Sequence, residues 1–171
     1  IDMDIVRIKK AIYAGELAGL PAIQQVLEAA ERAGRALHLM GLVSDGGVHS
    51  SLEHVYGILR LLAERKIRPI LHAFTDGRDT APRCARDFVA PLEARCRSLA
   101  CSIAPRSLRH TALARPTRRS RVARAYRAIV SREGRECASA LEAVERGWAA
   151  GEGDEFIAPS VIAGGPELRD G

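Results

Sequence analysis

Ala36-Leu37-His38-Leu39-Met40-Gly41-Leu42-Val43 and Ile67-Arg68-Pro69-Ile70-Leu71-His72-Ala73-Phe74 decide the fold class. Each is a short, almost continuous apolar run, the pattern of a strand buried on both faces in a parallel sheet. Between them, Leu52 to Lys66 repeats Val55, Ile58, Leu59 and Leu62 at helical spacing. Strand, helix, strand with a connection of that length is a crossover unit. The spacing predicts an α/β three-layer sandwich with a mostly parallel sheet.

Outward from this unit the pattern continues. Ile1 to Ala14 carries Ile5, Ile8, Ile12 and Tyr13 at helical spacing, and Leu20-Pro21 opens a second helix through Arg32 with Ile23, Val26, Leu27 and Ala30 on one face. Gly34 stands at its C-terminal cap. Pro82 fits the first turn of a helix that runs to about Leu99. Cys101 to Ala104 reads as a short strand, and Pro105 to Ser120, rich in Arg, Ser, Thr, Ala and Pro, as a loop. Val122 to Val130 is a helix with Val122, Tyr126, Ile129 and Val130 on one side. Cys137 to Ala149 is another, and Phe156 to Ile162 reads as a last strand, placed at an edge by Pro159.

The 171 residues suggest one domain, 1–171. Apolar residues are 47% and aromatics 4%, so the core is aliphatic. No apolar stretch approaches the twenty or so residues of a membrane span, and no leader pattern opens the chain, so a cytoplasmic location is expected. Cys84, Cys96, Cys101 and Cys137 have neither zinc-site nor redox-motif spacing and are read as free thiols. The net charge is +5, and lysine occurs only at 9, 10 and 66. Arginine forks suit phosphate and carboxylate. A nucleic-acid surface would interleave aromatics with the basic residues, whereas Arg106 to Arg127 holds eight arginines and one aromatic, Tyr126.

Chemistry concentrates where the two predicted strands end. Ser44-Asp45-Gly46-Gly47-Val48-His49-Ser50 follows the first, and Asp76-Gly77-Arg78-Asp79-Thr80 follows the second. Ligands of α/β sheets bind outside the carboxyl ends of the strands. His49 lies just past two glycines, where backbone can approach a ligand, and its side chain can share charge with an anion or exchange a proton. It can equally cap the Leu52 helix. Arg78 can clamp a phosphate or carboxylate, and Asp79 can orient it or accept a hydrogen bond from a substrate hydroxyl; an Arg–Asp pair within the loop, with Asp76 as a turn former, is the plainer alternative. His38 and His72 are read as packed or hydrogen-bonded within the strands, and His54 as a solvated surface residue. No nucleotide-binding glycine pattern, metal-ligand cluster or nucleophile elbow is present.

The stretches Leu37 to Ser50 and His72 to Thr80 resemble the cofactor-independent phosphoglycerate mutases, and the likeness extends over Ile1-Asp2, Ala128-Ile129-Val130 and Asp154 to Ile162. That family joins a phosphatase-like domain, with a serine nucleophile and two divalent ions such as manganese, to an inserted domain that positions the glycerate. The resemblance is to the inserted domain alone. It implies that 3-phosphoglycerate and 2-phosphoglycerate are the ligands, that no metal is bound by this chain, and that its partner is a phosphatase-like domain or chain. It further implies that His49 and Asp79 meet the substrate, that Arg78 grips the carboxylate, and that Arg109 and Arg115 match two more substrate arginines. Around those two the family motif is altered: Leu108 stands for glycine, His110 and Thr111 for tyrosines, Ala114 and Pro116 for aspartates, and Arg119 for tryptophan. A non-catalytic small-anion binding module and a degenerate fragment are the alternative readings.

Overall fold

The computed structural model describes residues 2–104, 107–108, 112–113, 119–165 and 168. The elements run α1 (Asp4–Tyr13), a 3-10 turn (Leu17–Gly19), α2 (Pro21–Ala33), β1 (Leu37–Leu42), α3 (Leu52–Glu64), β2 (Pro69–Thr75), α4 (Ala85–Ser98), β3 (Ser102–Ile103), β4 (Ser107–Leu108), α5 (Arg119–Val130), β5 (Arg135–Cys137), α6 (Ala140–Ala149), a second 3-10 turn (Asp154–Phe156) and β6 (Ser160–Ile162). Every registered strand pair is parallel, as an α/β fold requires.

β2 is the spine of the larger sheet. It pairs with β1 along its whole length, Leu37 opposite Pro69 through Leu42 opposite Phe74, and its other edge meets β3 at Ile70 and Leu71 and β4 at Phe74 and Thr75. All seven β2 residues are buried. β1 departs from the expectation of burial on both faces: Met40 is 58% exposed. Among the described residues β1 pairs with β2 alone, so one edge is left without the cover an inner strand has. The expected single sheet is also divided, with β5 and β6 forming a separate two-stranded sheet.

The main core lies on the face of β2 that carries Leu71 and Ala73. There Leu52 and Leu59 of α3 meet Val89 and Leu92 of α4 and Ala140, Ala143 and Val144 of α6. Each fully buried leucine contributes about 2 kcal/mol of apolar transfer free energy. A smaller cluster of Leu27, Leu62 and Ile67 seats α2 beside α3.

Some expectations about faces and boundaries are corrected. In α1 only Ile12 is buried, while Ile8 and Tyr13 are exposed, and Val26 of α2 is exposed too. In α5 the buried stripe is Ala125 and Ala128, roughly a third of a turn at 100° per residue from Val122 and Tyr126, which stay exposed. The helix expected from Cys137 begins at Ala140, because Arg135–Cys137 pairs with β6. Ser139 caps its start: its hydroxyl accepts from Glu142 N–H at 3.0 Å, while the Glu142 carboxylate reaches back past the cap to accept from Ala138 N–H at 2.6 Å, a variant of the capping box that the Ser-Ala-Leu-Glu spacing carries. The expected strand from Phe156 shrinks to Ser160–Ile162, since Asp154–Phe156 coils into the 3-10 turn. Pro82 lies before α4 instead of in its first turn. Of the segment expected as a loop, Ser107–Leu108 is strand and Arg119–Ser120 begins α5; the remainder lies outside the described residues apart from 112 and 113. The four cysteines are free.

Candidate functional site

The two loops predicted to carry chemistry meet at the carboxyl ends of β1 and β2. Val43 N–H donates to Phe74 C=O at 2.8 Å, extending the pairing of the strands to the point where both loops leave the sheet. His49 Nδ1 then lies 2.7 Å from Asp79 Oδ2. With the carboxylate ionised the ring nitrogen is the donor, which fixes the tautomer and turns the imidazole toward Asp79. The His49 side chain is 59% exposed and that of Asp79 12%, so the pair has one open and one sheltered member.

Glycine permits the approach. A Cβ on Gly46 would fall 2.8 Å from Asp79 Cβ, so any larger residue there would force the loops apart. Gly77 is in the left-handed region at φ +76, and a Cβ there would lie 2.6 Å from Glu155 N.

A buried carboxylate shapes the second loop. Asp76 Oδ1 accepts from the N–H groups of Arg78 and Asp79 at 3.2 and 3.1 Å, while Ser44 Oγ donates to Oδ2 at 2.7 Å. Asp76 therefore works as a turn former, as Asp residues do by bonding to backbone two and three residues on. The Ser44 bond also ties the first loop to the second. Gly77 N–H donates to Thr80 Oγ1 at 3.3 Å. Arg78 is left exposed, and its guanidinium makes no hydrogen bond or ion pair among the described residues. The intraloop Arg–Asp pair is thus not formed, and the fork is available to an anion.

The capping alternative for His49 falls to Asp45, whose Oδ1 accepts from Leu52 N–H at 3.3 Å at the start of α3. Ser50 Oγ donates to Leu42 C=O at 2.6 Å. The structure thus brings together His49, Arg78 and Asp79 on two adjoining loops. Arg109 and Arg115 lie outside the described residues. Asp76 is the turn former that the Asp-Gly pattern predicts; the residue sequence reasoning missed is Ser44, whose buried bond to Asp76 joins the loops.

The other histidines sit elsewhere. His38 Nδ1 and His72 Nε2 are 2.8 Å apart across β1 and β2, with the rings stacked at 5.1 Å. His72 Nδ1 is buried without a partner, which favours the tautomer in which Nε2–H donates to His38 and a bare lone pair, cheaper than an unpaired N–H, is left inside. Burial pushes His72 down to about 4, with the neighbouring His38 acting in the same direction, and burial lowers His38 as well. His54 corrects an expectation: its Nε2 is buried without a partner rather than solvated. Among the described residues no group of three or more His, Cys, Asp or Glu is placed to hold a metal ion.

Residues 8–170 match the family described as BPG-independent PGAM N-terminus. The chain belongs to this family. It is 43% identical over 174 residues to the 2,3-bisphosphoglycerate-independent phosphoglycerate mutase of Desulforudis audaxviator, covering 98% of this chain and 34% of that protein. It is 41% identical over 168 residues to the enzyme of the same name from Halobacterium salinarum, covering 96% and 33%. A crystal structure of Leishmania mexicana phosphoglycerate mutase, determined at low cobalt concentration, superposes with a TM-score of 0.83 at 30% identity over 92% of this chain and 31% of that one. The chain therefore spans about a third of the length of these relatives, the part that the family name places at the N-terminus, and the α/β architecture is shared with a phosphoglycerate mutase.

Proposed function

We propose that residues 1–171 form a single domain that holds phosphoglycerate for a cofactor-independent phosphoglycerate mutase, a glycolytic enzyme of the cytoplasm that interconverts 3-phosphoglycerate and 2-phosphoglycerate. The observation that carries this reading is the 2.7 Å pair of His49 and Asp79 across two loops, beside the uncommitted Arg78. A glycerate ligand needs three things here: a fork for its carboxylate, an acceptor for a hydroxyl, and a donor that can also share charge with phosphate. Arg78 supplies the first, Asp79 the second and His49 the third. Asp79, oriented by its bond to His49, can take the proton of a substrate hydroxyl as that hydroxyl reacts, becoming a neutral carboxyl group, and give the proton back in the reverse direction. Arg109 and Arg115 are proposed as further anion contacts.

Presenting two hydroxyls in turn to one phosphoryl group is a matter of orientation, and holding the glycerate by both ends limits the orientations it can take. The nearby hydroxyls have other duties: Ser44 Oγ donates to Asp76, and Ser50 Oγ to Leu42. That supports substrate positioning over nucleophilic attack as the work of these loops. The divalent ions and the serine nucleophile that the resemblance implies are assigned to the part of the relatives that this chain does not span.

Calorimetric titration of 3-phosphoglycerate at moderate salt tests the reading. Saturable binding is expected. Arg78→Ala is expected to weaken it at least tenfold, about 1.4 kcal/mol, the scale of one charge-assisted fork. A folded chain that binds no phosphoglycerate overturns the proposal.

A further inference from the structure

Asp154 is fully buried, and it is better connected than a helix cap needs to be. Its Oδ2 accepts from Cys84 N–H at 2.8 Å and Ala85 N–H at 2.7 Å, at the start of α4. Its Oδ1 accepts from Trp148 Nε1–H at 2.7 Å, from the last turn of α6. Its own N–H donates to Pro82 C=O at 2.7 Å, and its C=O accepts from Thr75 Oγ1 at 2.7 Å. Thr75 is the last residue of β2, next to Asp76. Two residues on, Gly77 runs so close that a Cβ would meet Asp154 Cβ at 2.8 Å. The Asp154-Glu155 backbone is thus the wall behind the loop that presents Arg78 and Asp79.

Capping α4 alone would be met by Ser or Asn, and would call for neither the indole bond nor the contacts with Thr75 and Gly77. A buried carboxylate with three N–H donors is held firmly, because each bond is charge-assisted and losing one leaves charge unsatisfied in a low-dielectric interior. Whatever holds Asp154 in place therefore holds the backbone of the loop.

We propose that Asp154 is a positioning residue for the anion-binding loop: acting through Thr75 and Gly77, it sets where Arg78 and Asp79 stand and couples them to the indole of Trp148. This rests on the reading of that loop as a phosphoglycerate site. Trp148 is the single tryptophan of the chain, so occupancy of the loop is read at one fluorophore.

The test titrates 3-phosphoglycerate into the wild-type chain, Asp154→Asn, Thr75→Val and Ser139→Ala, with affinity measured by calorimetry and Trp148 emission followed in parallel. Ser139→Ala is the control, since it loosens α6 through its cap without touching the loop. Expected is a wild-type emission change that saturates with the calorimetric Kd. Affinity should fall roughly tenfold in Asp154→Asn and roughly threefold in Thr75→Val, against no change in Ser139→Ala. Thr75→Val decides the matter by itself if Asp154→Asn does not fold. Folded Asp154 and Thr75 variants that keep the wild-type Kd overturn the positioning role and leave the binding reading standing. An absence of wild-type binding overturns both.

Discussion

At the scale of single residues, the stacked pair of His38 and His72 makes stability depend on pH. Burial holds His72 near 4 in the folded chain, against an ordinary value of about 6.5, and lowers His38 in the same direction. The unfolded chain therefore binds more protons than the folded one between those values, and stability rises with pH across that window. The contribution is fully present above about pH 6.5 and is lost as pH falls toward 4, by at most about 3 kcal/mol for His72. Urea midpoints measured from pH 7.5 to 4.5 are expected to fall less steeply in His72→Phe than in the wild type; parallel slopes would remove the pair as the cause. That both histidines sit within strands was legible from the apolar runs around them. Their bond to each other was not, because only the register His38–Ile70 and Met40–His72 brings the rings within reach.

At the scale of elements, α6 shows how a short polar signal sets a boundary. Its first N–H groups are served by Ser139 and by Glu93 of α4, whose Oε1 accepts from Ala140 N–H at 2.5 Å. Ser139→Ala removes one of these partners and is expected to lower stability by about 1 kcal/mol, read as a shift of the denaturation midpoint with an unchanged m-value. The helices α2 and α3 were legible because their apolar spacing exceeds two turns. β5 was not: Arg135, Glu136 and Cys137 carry no strand pattern, and their conformation comes from pairing with β6. The chosen faces of α1 and α5 were also hidden, because several stripes on each were apolar enough and neighbours decided which to bury.

At the scale of the whole molecule, the geometry suits the proposed holding of phosphoglycerate. His49 and Asp79 meet at one end of the sheet, with the exposed Arg78 next to Asp79 in the same loop, while the hydroxyls of Ser44 and Ser50 are engaged in holding the loops. The 171-residue polypeptide with manganese is accordingly expected to bind phosphoglycerate without interconverting its isomers. A coupled assay that shows turnover by the pure chain would refute this.

The sequence by itself determined the class of fold and the place of the candidate site. Two apolar runs with a helix between them admit few topologies, and polar, glycine-rich segments at their ends mark where a ligand can reach the backbone. Tertiary structure alone decided which of those loop residues face one another. Asp79 meets His49 because parallel pairing of β1 and β2 brings both strand ends level and because Gly46 leaves room for the approach. Asp76 and Asp154 turn inward because each finds backbone N–H donors there, and a buried carboxylate is tolerable only where such donors converge. Composition and spacing carry no record of those distances, since they depend on residues far apart in the chain arriving at one point.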